Sequence, residues 1–228
     1  METTPLRAQI LDTIIRKSTL KQRVFDNTFG AFNSLKETLL EMASEMDDEL
    51  DGKLDRRVRI EYRDRGKFET QFQVASDLLI FRMHTDVFEF GSDHLIWQNP
   101  YVQADRDNSY CGLINIYNFL SDSFKFNRNA DEGYLIGRIF INRERRYFAE
   151  GKQQNSMRAM DFGKSEIGQE ALVAILESAI GFALNFDLLM PPYEENKRVT
   201  VDQFNTKMDN SKFVTGKRLG YDFDVEDI

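Results

Sequence analysis

Glu150 and Lys152 stand two residues apart at the end of the segment Tyr147-Phe148-Ala149-Glu150-Gly151-Lys152. In an extended strand, residues i and i+2 project from one face. A carboxylate in that position, joined by a second one, can hold a divalent metal ion. A lysine beside it can orient the attacking water, and the result is phosphodiester cleavage. Asp131 has a sequence separation compatible with the second carboxylate. Topology argues against the pairing. If 134–142 and 146–152 form a simple hairpin about Glu144, Glu150 faces Arg138, seven residues from Asp131. At about 3.3 Å per residue that is roughly 23 Å, too far for one metal.

This segment resembles the strand-plus-ExK half of a restriction-type nuclease site. The resemblance implies metal-dependent phosphodiesterase chemistry using Asp131, Glu150 and Lys152. The motif is very short, and a strand end with solvent-facing charges explains the same residues. No metal ion or cofactor is therefore expected.

The other chemistry-bearing residues are scattered. His84 and His94 are the only histidines, and His84-Thr85-Asp86 puts an imidazole and a carboxylate on one strand face. A turn at 91–93 would bring His94 near Phe90 and not near His84. Cys111 is the only cysteine, so no internal disulfide and no cysteine-based zinc cluster can form. A nucleophilic thiol needs a base and an orienting group, and nothing in the sequence places one beside it. Gly163-Lys164-Ser165 matches the end of a phosphate-binding loop, but Arg158 stands where its first glycine belongs. Asp161-Phe162-Gly163 lacks the other motifs that give that tripeptide meaning in kinases.

Two basic clusters could meet phosphates: Arg57, Arg59 and Arg63 in one, Arg143, Arg145 and Arg146 in the other. Acids are interleaved with both, and the chain carries a net charge of −8, which opposes non-specific nucleic-acid binding. A solvated, charge-paired sheet face is the favoured reading.

The elements that position these residues follow from periodicity. Pro5, after Thr4, opens a helix, with Leu6, Ile10, Leu11, Ile14 and Ile15 at helical spacing. The strongest pattern comes next. Phe25, Phe29, Phe32, Leu35, Leu39, Met42 and Met46 recur every three or four residues, separated by charges. The spacing predicts one helix to about Lys17 and a second from about Thr19 to Glu49, ended at Asp51-Gly52. Alternation then takes over. A hairpin is expected over 57–74, with further strands at 78–83, 87–90, 94–97, 113–120, 124–127, 134–142 and 146–150. The segment 98–110 reads as a loop. Ser165 is expected to cap a helix from Glu166 to about Leu189, before Pro191-Pro192.

No stretch between the strands holds a helix long enough for a crossover, so the sheet should be largely antiparallel. Helices and strands are segregated, which gives an α+β fold. We expect about six to eight strands packed against a long N-terminal helix and a late apolar helix. One domain should cover 1–193, helical over 1–52, β-rich over 57–152 and helical over 165–190. An acidic, aromatic extension follows over 194–228, with Tyr221, Phe223 and Ile228 as its candidate motif. Nineteen Phe against one Trp predict a phenylalanine-rich core.

The most apolar stretch, 171–190, contains Glu177 and Asp187, so a buried helix is expected there and no membrane span. The N-terminus lacks a basic segment followed by an apolar run, and with a single thiol this suggests a cytoplasmic protein. The functional expectation is a non-enzymatic interaction or assembly module, self-associating through helix 20–50 or docking to a protein partner. The alternatives are the metal-dependent nuclease-like enzyme and a binder of a small apolar ligand in a Phe-lined pocket.

Overall fold

A computed structural model describes residues 5–129, 131–151, 159–186 and 200–201. Its first element is a single helix, α1, over Pro5–Leu50. The break expected near Lys17 does not occur. No proline interrupts the run after Pro5, and hydroxyls within it bond back to the helix itself. Thr28 Oγ1 donates to the carbonyl of Val24 at 2.7 Å, and Thr38 Oγ1 to that of Ser34 at 2.9 Å. Bonds of this i→i−4 kind leave the helical ladder intact.

Six strands follow: β1 Ile60–Asp64, β2 Glu69–Val74, β3 Asp77–Met83, β4 Cys111–Leu120, β5 Tyr134–Asn142 and β6 Tyr147–Gly151. They pair antiparallel in the order β1-β2-β3-β4-β5-β6, a meander in one sheet. A final helix, α4, spans Gln169–Leu184. The architecture is the α+β arrangement that the alternating and helical periods imply.

α1 and α4 lie on the same face of the sheet. Phe32, Leu35, Leu39 and Met42 of α1 enter a core with Phe72, Leu79, Phe81, Ile114, Ile116 and Ile139, and with Leu172, Ile175 and Leu176 of α4. Phe25 and Phe29 stack at 6.1 Å and meet the Phe68 ring edge-on. Of the stripe from Phe25 to Met46, Phe32, Leu35, Leu39 and Met42 are buried within the chain, while Phe25, Phe29 and Met46 pack against the core half-buried. Close approach makes this possible at one point. A Cβ built on Gly112 of β4 would lie 2.1 Å from Thr28 Oγ1 and 2.8 Å from Thr28 Cβ. Glycine lets the helix settle onto the strand there.

Several local expectations are corrected. The segments 87–90 and 94–97 are not strands: Phe88 makes one isolated bridge to Cys111, and Leu95–Gln98 is a 3-10 helix. The region 98–110 is not a simple loop. It holds α2, Pro100–Ala104, and a second 3-10 turn, Arg106–Ser109. Side-chain caps start each turn, as His94 Nδ1 accepts from Ile96 N–H, Asn99 Oδ1 from Tyr101 N–H and Asp105 Oδ1 from Asp107 N–H. The segment 124–127 contains the end of a short helix, α3, Ser121–Lys125.

Helix α4 begins three residues later than expected, after Gly168, with no side-chain cap. Glu166 bridges to Arg146, and Ile167 N–H donates to the Arg145 carbonyl at 2.9 Å, so these residues extend the sheet edge instead of opening the helix. Its expected end at Leu189 and most of the 194–228 extension lie outside the described residues, which resume only at 200–201.

Gly112→Ala should lower stability by about 1–3 kcal/mol, because Thr28 and the α1 backbone must shift to admit one methyl group. Gly181→Ala in α4 should raise it by about 0.5–1 kcal/mol, since helical glycine is entropically costly and no heavy atom lies within 4 Å of the added Cβ. Urea unfolding of the two variants against the parent measures the opposite signs.

Candidate functional site

The sheet's second face, away from α1 and α4, carries the residues that sequence spacing singled out. The strand registers align Glu69 with Arg82, Arg82 with Asn115, Asn115 with Arg138 and Arg138 with Glu150. A polar row therefore crosses five strands, from β2 to β6. Glu150 faces Arg138, as the hairpin about Glu144 requires.

Glu150 is already committed at the end of this row. Arg138 Nη2 donates to its Oε2 at 2.6 Å. His94 Nδ1 accepts the Ile96 N–H, so the neutral ring carries its proton on Nε2, which lies 3.4 Å from Glu150 Oε1. The His94 ring stacks on Phe90 at 4.6 Å. Asp131 takes other partners: Arg128 at 2.9 Å and the hydroxyl of Ser123. The structure does not bring Asp131 and Glu150 together. Lys152 lies outside the described residues. Among the described residues no group of three or more His, Cys, Asp or Glu is placed to hold a metal ion. His84 makes a local contact instead, 3.7 Å from Asp86.

Beside the row, the excursion 84–110 and the segment 159–163 cover part of this face. Phe140 and Phe148 stack at 4.7 Å and pack with Ile96, Val102 and Phe162. Asn99 holds the two segments together, its Nδ2 donating to the carbonyls of Ala159, Met160 and Phe162. Much of the phenylalanine wealth is spent here and in the main core. Between sheet and helices, Phe32, Phe72 and Phe81 are fully buried.

Asn142, at the tip of the β5–β6 hairpin, is the centre of a second network. Its Oδ1 accepts the N–H groups of Glu144 and Arg146, which fixes the turn. Its Nδ2 donates to the Tyr101 hydroxyl at 2.8 Å, and Tyr101 donates on to Glu144 at 2.6 Å. Burial pushes the Tyr101 phenol well above its usual range, and the Glu144 carboxylate adds to the effect. Asn27 of α1 donates to the carbonyls of Asn142 and Arg143. Arg143 pairs with Asp105 and lies 3.7 Å from Asp107, which Arg16 of α1 also reaches at 3.3 Å. The cluster Arg143, Arg145, Arg146 is thereby consumed in fastening α1 and residues 164–167. Arg145 donates to the Ile167 carbonyl, and Arg146 lies 3.8 Å from Glu166.

The other basic cluster lies at the opposite end of the second face. Arg57, Arg59 and Arg63 line a cleft of about 810 Å³, together with Arg65 and Lys125. Asp55 holds Arg57 through two bonds, and Glu61 holds Arg63 at 2.6 Å. These partners keep the Asp55 and Glu61 carboxyls below their usual range.

Cys111 is fully buried, and burial pushes its thiol far above the ordinary value. A thiol in that state is a poor nucleophile.

The third feature escaped sequence reading. Residues 5–19 of α1 are all exposed, and burial starts only at Leu20. Leu20 and Val24 pack on Tyr110. Before them, the last contacts are Lys17 over the Tyr110 ring at 5.9 Å and the Arg16–Asp107 pair. Leu6, Ile10, Leu11, Ile14 and Ile15 lie beyond, between 47% and 67% exposed. Their spacing was legible. Their exposure was not, because it depends on where the sheet ends. No helix among the described residues is long and apolar enough to cross a membrane.

No family model, no curated protein and no solved structure matches this chain.

The Arg143 guanidinium, hydrogen-bonded to Asp105, holds that carboxyl below its ordinary value of 3.8. A lowered native value means the contact stabilises fully at neutral pH and is lost as pH falls through the lowered value. Asp105→Asn should therefore reduce the melting temperature near about pH 7 and shrink the drop between about pH 7 and about pH 3. Calorimetry at the two pH values measures it; an unchanged drop would mean the pair contributes nothing. Cys111 should resist iodoacetamide in the native protein and react once urea unfolds it, read by intact mass.

Proposed function

We propose that this chain is a non-enzymatic assembly module that associates with a second copy of itself through the N-terminal part of α1. The observation that carries the reading is the exposed apolar face of residues 5–19. Leu6, Ile10 and Ile14 continue the side of the helix that is buried from Leu20 onward, and Leu11 and Ile15 lie beside that side. At 1.5 Å per residue the exposed stretch is roughly 22 Å long. The five aliphatic side chains expose about 500 Å² of apolar surface, within the size range of a typical monomer's largest patch, which is often functional. Two such helices face to face would bury up to about 1,000 Å², the lower bound for a specific interface.

A second copy is the simplest occupant. An apolar stripe is complementary to itself, and a two-fold pairing closes the assembly without leaving another stripe exposed. This surface differs from the stripe Phe25 to Met46 that sequence periodicity favoured, where Phe32, Leu35, Leu39 and Met42 serve the internal core. The exposed stripe has no need of those residues.

The double variant Ile10→Asp/Ile14→Asp tests this reading. The parent should run at twice the chain mass in light scattering at high micromolar concentration, and the variant at the single-chain mass with an unchanged melting temperature. A parent at single-chain mass, or a variant that stays dimeric, would overturn it.

A further inference from the structure

The cleft on the sheet's second face, between β1–β3 and α3, is a local reversal of the chain's charge. The whole chain is acidic, at −8, yet five cationic side chains line this cleft against the carboxylates of Asp55 and Asp122. Internal pairs satisfy part of that charge: Asp55 takes Arg57 and Glu61 takes Arg63. Arg65 spends its Nε on Gln71 Oε1 at 2.9 Å, which leaves its other donors. Arg59 and Lys125 make no salt bridge among the described residues, Arg59 acting on Glu61 only at longer range, and both are exposed. The cleft is also partly apolar. Leu78 lies buried in its lining, and Phe124 at its side is 48% exposed.

Cations around an apolar lining suit a ligand that carries carboxylates and large apolar side chains together. We infer that the cleft binds an acidic peptide with interleaved aromatic residues, and that its occupant is the chain's own segment 221–228. That segment reads Tyr221-Asp222-Phe223-Asp224-Val225-Glu226-Asp227-Ile228. It offers four side-chain carboxylates to Arg59, Arg65 and Lys125, and aromatic rings to Val58 and Phe124, both exposed in the lining. Reach is not limiting. Twenty residues separate Val201 from Tyr221, and at about 3.3 Å each they could span some 65 Å. A nucleic acid would use the cations but not the apolar lining, and the acidic remainder of the surface would repel it.

The test places a photoreactive group in the full chain by Phe223→p-benzoylphenylalanine. After irradiation, mass spectrometry should map cross-links to 55–78 or 121–125. Their yield should fall several-fold in the Arg59→Glu/Lys125→Glu background and as salt is raised. Both substituted side chains are exposed, and an unchanged melting temperature confirms that the fold is kept. Cross-links elsewhere, no cross-links, or a yield indifferent to the two charge reversals would overturn the inference. The cleft shares no residue with the exposed α1 stripe. Ile10→Asp/Ile14→Asp should leave the cross-link map unchanged, so the two readings fail separately.

Discussion

The extent of the sheet under α1 is the constraint on which the rest of the molecule depends. A helix of 46 residues is about 69 Å long at 1.5 Å per residue. Six twisted strands at roughly 4.8 Å spacing cannot underlie all of it. Burial begins at Leu20, where Tyr110 and the hairpin tip around Asn142 give the helix its last support. C-terminal to that point the apolar face is satisfied internally, with α4 sharing the same side of the sheet. N-terminal to it the same kind of face meets water. The division between core and candidate interface thus falls where the sheet runs out, and there Thr13 and Lys17 stand on the side of the helix that is apolar beyond Leu20.

The second face of the sheet divides in a comparable way. At the β5–β6 end it is closed by capped turns, by Asn99 and by stacked phenylalanines. At the β1–β3 end it stays open and basic. The two arginine clusters look alike in sequence but have different fates. Arg143, Arg145 and Arg146 sit on a hairpin tip, where Asp105, Asp107, Glu166 and the carbonyls of Lys164 and Ile167 each take part of their hydrogen bonding. Arg59 and Arg65 sit near an edge strand, where few groups are within reach.

Periodicity made the strands, their antiparallel order and both main helices legible, and the Arg138–Glu150 register followed from one assumed hairpin. What could not be read was set at a distance. The segment 84–110 alternates weakly like a strand, yet the capping side chains of His94, Asn99 and Asp105 make it a series of short turns. Asn99-Pro100 was the visible signal, a cap followed by proline. Ser165 looked like a better cap than Gly168, but Ile167 was drawn to the Arg145 carbonyl across the sheet edge. For the site residues, the facing of Glu150 and Arg138 was readable while the second partner of Glu150 was not. His94 comes from a turn 56 positions away in sequence.

The meander order also bears on how the chain reaches this state. Each strand pairs with its neighbour in sequence, so the sheet can grow one hairpin at a time with small loop-closure entropy, the one longer closure being the 84–110 excursion between β3 and β4. The contacts between α1 and α4 are of another kind. Thr38 Oγ1 reaches Gln169 Oε1 at 3.2 Å across 131 positions. Until that closure is made, the apolar sides of both helices have only a growing sheet to rest on. The burial of Leu35 and Leu39 with Leu172 and Leu176 thus completes folding as much as it stabilises the product, and a newly made chain would hold its most adhesive surface open longest at its own N-terminal end.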